Sequence, residues 1–367
     1  MLYRGLRMFL ACWLLPAFAM GQVSPAAKDG PSPKAPAALV GNIQPSVQPL
    51  VMIQTITAPA ELATDFYPPL RCDSDGNLYF RRDHLDAVHK ISPKGEPLAQ
   101  FQAAANTNKK IDLVMSFTLG PNDDLYELVF PHEFDRYVFV YRRDGAFKSA
   151  IKLTPGFVFS PHALAVFPSG QLLVAGSEYG RDRSAAKWPF TGIFAEDGSL
   201  LKEIKLEDDE TLHDMAAAGD ERVTMPQNPQ ANKAVDFSQI GMAADGNAYL
   251  MRWTNPAIIY AISPGGEVLR RLKIDPEGRG YHPASMQVHQ NQMAVLFFDP
   301  QTHSRVMKVI DLEGHDLGTY DEPKADGKGQ GPILGSSFAC YTGNPARFTF
   351  LGSNDDNRLQ FYITGLR

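Results

Sequence analysis

The chain has 367 residues, of which 44% are hydrophobic and 21% charged, with a formal net charge of −6. A mildly acidic chain without a basic run excludes nucleic acid and an anionic membrane surface as partners. No segment reaches ~18 uninterrupted apolar residues, so no transmembrane span is expected in the mature chain.

Residues 1–21 read as a secretory leader. Arg4 and Arg7 supply the basic end, and Met8 to Phe18 form an apolar core too short to cross a bilayer. Ala17-Phe18-Ala19 offers small residues for cleavage, with Ala19-Met20-Gly21 as a second choice. A lipoprotein leader on Cys12 is rejected, because Phe9-Leu10-Ala11 leaves almost no apolar core before the cysteine. Loss of the two arginines takes the charge from −6 to −8. The expected location is periplasmic or extracellular. Residues 22–49 then alternate Pro25, Pro31, Pro33, Pro36, Pro45 and Pro49 with Ala, Ser and Lys, the composition of a semi-extended, disordered linker.

From residue 50 onward one phrase recurs six times: an apolar run, a tight turn, and a second apolar run. The copies are LRCDSDGNLYF (70–80), FTLGPNDDLYELV (117–129), LAVFPSGQLLV (164–174), IGMAADGNAYLM (240–251), MQVHQNQMAVLF (286–297) and FACYTGNPARFTF (338–350). After five of them comes a run ending in a glycine turn, at Gly95, Gly145, Gly198, Gly266 and Gly314. Units of four short strands at such spacing predict an all-β fold, a six-bladed β-propeller occupying 50–367. Asp75-Gly76, Asp123-Asp124, Ser169-Gly170 and Asp245-Gly246 suit the first hairpin turn, where positive φ is required. The sixth unit lacks its own fourth strand, while LVMIQTIT (50–57) stands alone at the other end. The N-terminal strand is therefore expected to complete the last blade and close the ring.

Aligned first strands give two columns. Leu70, Phe117, Leu164, Ile240, Met286 and Phe338 form one; Cys72, Leu119, Val166, Met242, Val288 and Cys340 form the other. Residues two apart share a face of a strand, so both columns should pack between blades. Export favours a disulfide. The register opposes one, since two cysteines in the same column point the same way round the ring. Cys72 and Cys340 are expected as buried, unpaired thiols.

The phrases Ser160-Pro161-His162-Ala163-Leu164-Ala165-Val166, Pro168-Ser169-Gly170-Gln171-Leu172, Asp75-Gly76-Asn77-Leu78-Tyr79 and Asp245-Gly246-Asn247-Ala248-Tyr249 resemble the NHL-type six-bladed propellers, of TolB-like architecture. Relatives in that group include secreted binding modules, the SMP-30/gluconolactonase group and the peptidylglycine amidating lyase. The resemblance implies that the connections between successive blades (D–A) and between the second and third strands (B–C) surround the channel mouth. The longest such connection is 207–235. It is expected to act as a lid, with a disordered insertion as the alternative.

The mouth-side candidates for ligand binding are Asp65, Arg82, His162, Glu178, Asp236, Arg252, Trp253 and His282. Mixed charge among aromatics suits a protein, peptide or carbohydrate ligand. An enzyme is the second reading. The lyase resemblance implies a zinc ligand at His162, with Asp236 and His282 as partners; the gluconolactonase resemblance implies a calcium-like cation held by Asp65, Asp236 and Glu178, with Ser116 and Gln239 as neutral oxygens. Catalytic residues are not identified, and no cofactor motif is present: G-x-S-x-G, H-E-x-x-H, C-x-x-C and the phosphate-binding loop are all missing. A binding module is the first reading, and a metal-dependent hydrolase or lyase the alternative.

Overall fold

The computed structural model describes residues 47–62, 66–85, 87–108, 110–131, 135–179, 188–217, 229–276, 281–299, 301–302, 304–321, 331–332, 338–343, 345–353 and 358–366. The expected leader and most of the linker, together with Asp65, lie outside these residues.

The period-two runs form six antiparallel four-stranded blades, each with strands A to D in spatial order. Blade 1 is Tyr67–Cys72, Leu78–Arg81, Val88–Ile91 and Pro97–Phe101. Blade 2 is Ile111–Leu119, Leu125–Pro131, Tyr137–Tyr141 and Phe147–Lys152. Blade 3 is Phe159–Val166, Leu172–Glu178, Trp188–Phe194 and Leu200–Glu203. Blade 4 is Gln239–Met242, Ala248–Arg252, Ala257–Ile262 and Val268–Ile274. Blade 5 is His282–His289, Gln292–Phe298, Arg305–Asp311 and Asp316–Asp321. Blade 6 takes Phe338–Thr342, Arg347–Ser353 and Leu359–Gly365 from the end of the chain, and Val51–Thr57 from its beginning.

That last strand pairs antiparallel with 6C, from Val51 opposite Gly365 to Thr57 opposite Gln360. The expected closure is therefore present. The A strands touch in an unbroken cycle, 1A to 2A and onward to 6A against 1A. Ahead of the closing strand, Gln48 and Pro49 pair in parallel with Tyr320 and Asp321 of blade 5.

A separate apolar cluster fills each junction between neighbouring blades. Propellers stay stable at this size because the core is divided among junctions instead of being one mass. Leu70, Phe117, Leu164, Ile240, Met286 and Phe338 each face the preceding blade, as their column requires. The turns follow the sequence with one shift: in blade 2 the positive-φ residues are Asn122 and Asp123, one position earlier than expected. At Gly95 (φ +84°) a Cβ would lie 2.6 Å from the Thr57 carbonyl, so blade 1 seats closely on the closing strand only with glycine there.

The cysteine expectation is overturned. Cys72 and Cys340 form a disulfide, with their Cα atoms 5.7 Å apart. The cause is a β-bulge in 6A: Phe338 lies opposite Phe350, yet Cys340 lies opposite Thr349. One extra residue reverses the facing. Phe338 keeps to its column and packs toward blade 5 with Ala294 and Leu296. Cys340 turns toward blade 1 and joins Leu70, Leu78 and Cys72.

The 207–235 connection is helical in its described parts. Its two helices, α1 (Asp209–Ala217) and α2 (Pro229–Asp236), pack on each other and on blade 3. Asp209 and Glu210 occupy the first turn of α1, where negative charge suits the helix dipole. Leu212, Ala234 and Val235 form the small core between the helices, and His213 stacks on Trp188 at 3.5 Å. Residues 218–228, the remainder of the expected lid, lie outside the described residues.

Candidate functional site

On the D–A/B–C side the ring encloses a cavity of about 370 Å³, lined from blades 1 to 5. Its wall includes Pro68, Met115, His162, Ser238 and Ala284, the equivalent position near the start of each first strand. Four of these first strands break register there, between Tyr67 and Arg71, Val114 and Ser116, Pro161 and Ala163, and Pro283 and Ser285. A bulge breaks the in–out alternation and re-aims a side chain. His162 is thus turned toward the cavity, while Met115 and Ala284 line it and also pack against the blade 2/3 and blade 5/6 clusters.

His162 meets Asp236 across the junction of blades 3 and 4, with Nε2 and Oδ1 3.1 Å apart. Asp236 is the last residue of α2, so the helical insert places this carboxylate at the mouth. The helix end is held firmly. Ala234 O accepts hydrogen bonds from Ser238 Oγ (3.0 Å) and Trp253 N (3.2 Å). Beneath them the fully buried Arg252 donates to Ser238 Oγ at 3.3 Å and to Asp209 Oδ1 at 2.8 Å. Burial pushes the Asp209 carboxyl up to about 6, against the pull of Arg252.

Trp253 forms an aromatic wall. His282 stacks on it at 4.9 Å with planes 8° apart, and Phe237 leans on it at 5.9 Å. Phe237 lines the cavity yet is 53% exposed, which makes it a lip at the opening. Burial holds the His282 imidazole below its ordinary range, and Lys233 adds to the effect. A neutral ring stacked on indole is the consequence.

Arg71 also lines the cavity, and the sequence reading passed over it. It lies between the two packing columns, where the other blades carry Thr118, Ala165, Gly241, Gln287 and Ala339. One charge in an otherwise neutral inner column was the available signal. Burial lowers its guanidinium to about 10.

The remaining candidates divide. Arg82 reaches the Glu61 carbonyl at 3.4 Å on a surface loop. Glu178 is buried at the end of 3B, in register with Phe159 and Trp188 and away from the cavity wall. Arg252 lies in the support beneath the mouth. Gln239 joins blade 4 to blade 5, accepting from Met286 N at 2.9 Å and donating to Ala284 O at 3.2 Å. Of the three proposed metal ligands, His162 and Asp236 converge and His282 is engaged with Trp253. Among the described residues no group of three His, Cys, Asp or Glu side chains comes close enough to hold a metal ion. Among them, too, no helix is long and apolar enough to cross a membrane.

No protein-family model matches the chain, and no curated protein matches it. Solved structures share the architecture. A Bacteroides fragilis protein whose exported status is itself an inference is 9% identical, with 87% of this chain and 96% of that one covered and a TM-score of 0.53. A gluconolactonase from Xanthomonas campestris is 13% identical over 86% and 98%, with a TM-score of 0.46. Virginiamycin B lyase from Staphylococcus aureus is 13% identical over 85% and 88%, also at 0.46. At such identities the likeness concerns the fold alone.

Proposed function

We propose that this chain is an exported binding module that takes its ligand at the channel mouth on the D–A/B–C face. The observation that carries the reading is the cavity itself. It has a rigid aromatic wall (Trp253 on His282), an aromatic lip (Phe237) and a small set of polar groups, the composition of a ligand site. The secretory leader and the NHL-type phrases in the sequence support export and membership of that propeller group. A protein segment, peptide or carbohydrate is the expected partner class, since aromatic faces serve all three.

The convergence of His162 and Asp236 favours the second reading, a metal-dependent hydrolase or lyase, as far as two ligands can. A catalytic zinc takes about three protein ligands. One experiment separates the readings. Metal content of the purified protein is measured with and without His162→Ala, alongside ligand-induced change in Trp253 emission in a Trp188→Phe background. Ligand binding that is abolished by Trp253→Ala in titration calorimetry, without stoichiometric metal, supports the binding module. Stoichiometric zinc or calcium lost with His162→Ala overturns it in favour of the enzyme.

A further inference from the structure

We propose that the cavity selects a monoanionic carboxylate carried on an apolar body, with the carboxylate on Arg71 and the body against Trp253. The inference rests on the binding-module reading and names its ligand class.

Arg71 is a half-buried cation on the cavity wall without a matching anion among the described residues. Its recorded hydrogen bond is to the carbonyl of its own neighbour, Leu70, at 3.0 Å. Among the described residues no carboxylate forms an ion pair with it. A guanidinium carries five N–H donors, so most of its capacity is unused by that single bond. Withdrawing an unmatched charge even partly from water is costly, and the lowered pKa of Arg71 has the same cause. The acid on the same wall, Asp236, lies against His162 at 3.1 Å and forms no ion pair with Arg71. A ligand anion would supply the missing partner in the bidentate geometry that guanidinium and carboxylate share.

The number of charges sets the class. Arg71 is the one Arg or Lys and Asp236 the one carboxylate among the described lining residues, in a wall otherwise built largely from Pro68, Leu70, Met115, Leu164, Ile240 and Trp253, so the wall offers a ligand anion at most one cation. A phosphate dianion would leave a charge uncompensated against apolar groups. A cavity of about 370 Å³ falls in the range of small-ligand sites and accepts more than the carboxylate alone. The same chemistry occurs in a free aryl acid and at the C-terminus of an apolar peptide.

The test uses matched probes that differ only in charge: phenylacetate against phenylacetamide, and N-acetyl-Ala-Phe with a free against an amidated C-terminus. Phenyl phosphate is the dianion control. Binding is read by Trp253 emission in the Trp188→Phe protein and by titration calorimetry. Each acid is expected to bind about tenfold or more tightly than its amide, and the tighter of the two acids identifies the source. Arg71→Gln should bring the acids down to the level of the amides and leave the amides unchanged. Amides binding as well as acids would overturn the role of Arg71 while leaving the binding module standing. Phenyl phosphate binding best would overturn the monoanion selection. Silence from every probe would overturn both. Should Arg71→Gln fail to fold, the acid–amide comparison on the unsubstituted ring decides alone.

Discussion

His162 and Asp236 lie 74 positions apart in the chain and face each other at 3.1 Å, one on a bulged inner strand and the other at the end of a helix. Their side chains are 12% and 26% exposed, so solvent screens the pair only in part. A double-mutant cycle with His162→Gln and Asp236→Asn should give a coupling of about 0.5–1 kcal/mol in urea unfolding. Strict additivity would mean that the contact contributes no interaction energy.

The Cys72–Cys340 bond links the first blade to the last, at a sequence separation of 268. A cross-link between such distant positions removes much freedom from the unfolded chain. Reduction, or Cys340→Ala, should lower stability by about 2–4 kcal/mol. Added reductant should shift the unfolding midpoint of the unsubstituted protein and leave a Cys72→Ala/Cys340→Ala variant unmoved. Equal shifts in both would assign the effect elsewhere.

The ring was legible in the sequence because each blade repeats the same local instructions: period-two runs, a turn with Asp-Gly or its equivalent, and columns such as Leu70 to Phe338 that must be buried. Closure by Val51–Thr57 followed from counting strands. The disulfide was hidden because one inserted residue between Phe338 and Cys340 reverses a face without altering the apolar pattern. Both helices of the 207–235 insert left readable marks, Asp209-Glu210 in a first turn and Pro229 at a helix start, which the length of the connection overshadowed. His162, Asp236 and Trp253 were picked out by residue type, yet no sequence spacing brings them to one cavity; bulges and the helical insert do. Arg71 sits between two packing columns, where the apolar pattern carries no mark of a cavity-facing cation.

Arg252 was expected to face ligand and instead supports the mouth from below, fully buried between Ser238 and Asp209. Its removal would strand a buried carboxylate. Arg252→Ala should cost about 3–5 kcal/mol, measured by chemical denaturation. Adding Asp209→Asn should recover part of that loss, because the stranded charge disappears. A loss that the second substitution leaves unchanged would point to packing instead of charge.

Glu127 gives the fold a pH dependence of definite sign. It is fully buried on 2B and is raised by burial to about 8, although the neighbouring Tyr141 phenol and Arg81 pull the other way. Its ordinary value is 4.5. Between these two values the native state keeps a proton that the unfolded chain has released. The contribution is therefore full below about pH 4.5 and is lost as pH rises toward about 8. Glu127→Gln keeps the shape and a hydrogen-bond acceptor while removing the titration. Its melting temperature should fall less steeply than that of the unsubstituted protein from pH 5 to pH 8, roughly the window set by the two values. The gap between the curves should widen in the variant's favour at the alkaline end. Parallel curves across that range would show that the Glu127 carboxyl does not hold its proton in the folded ring.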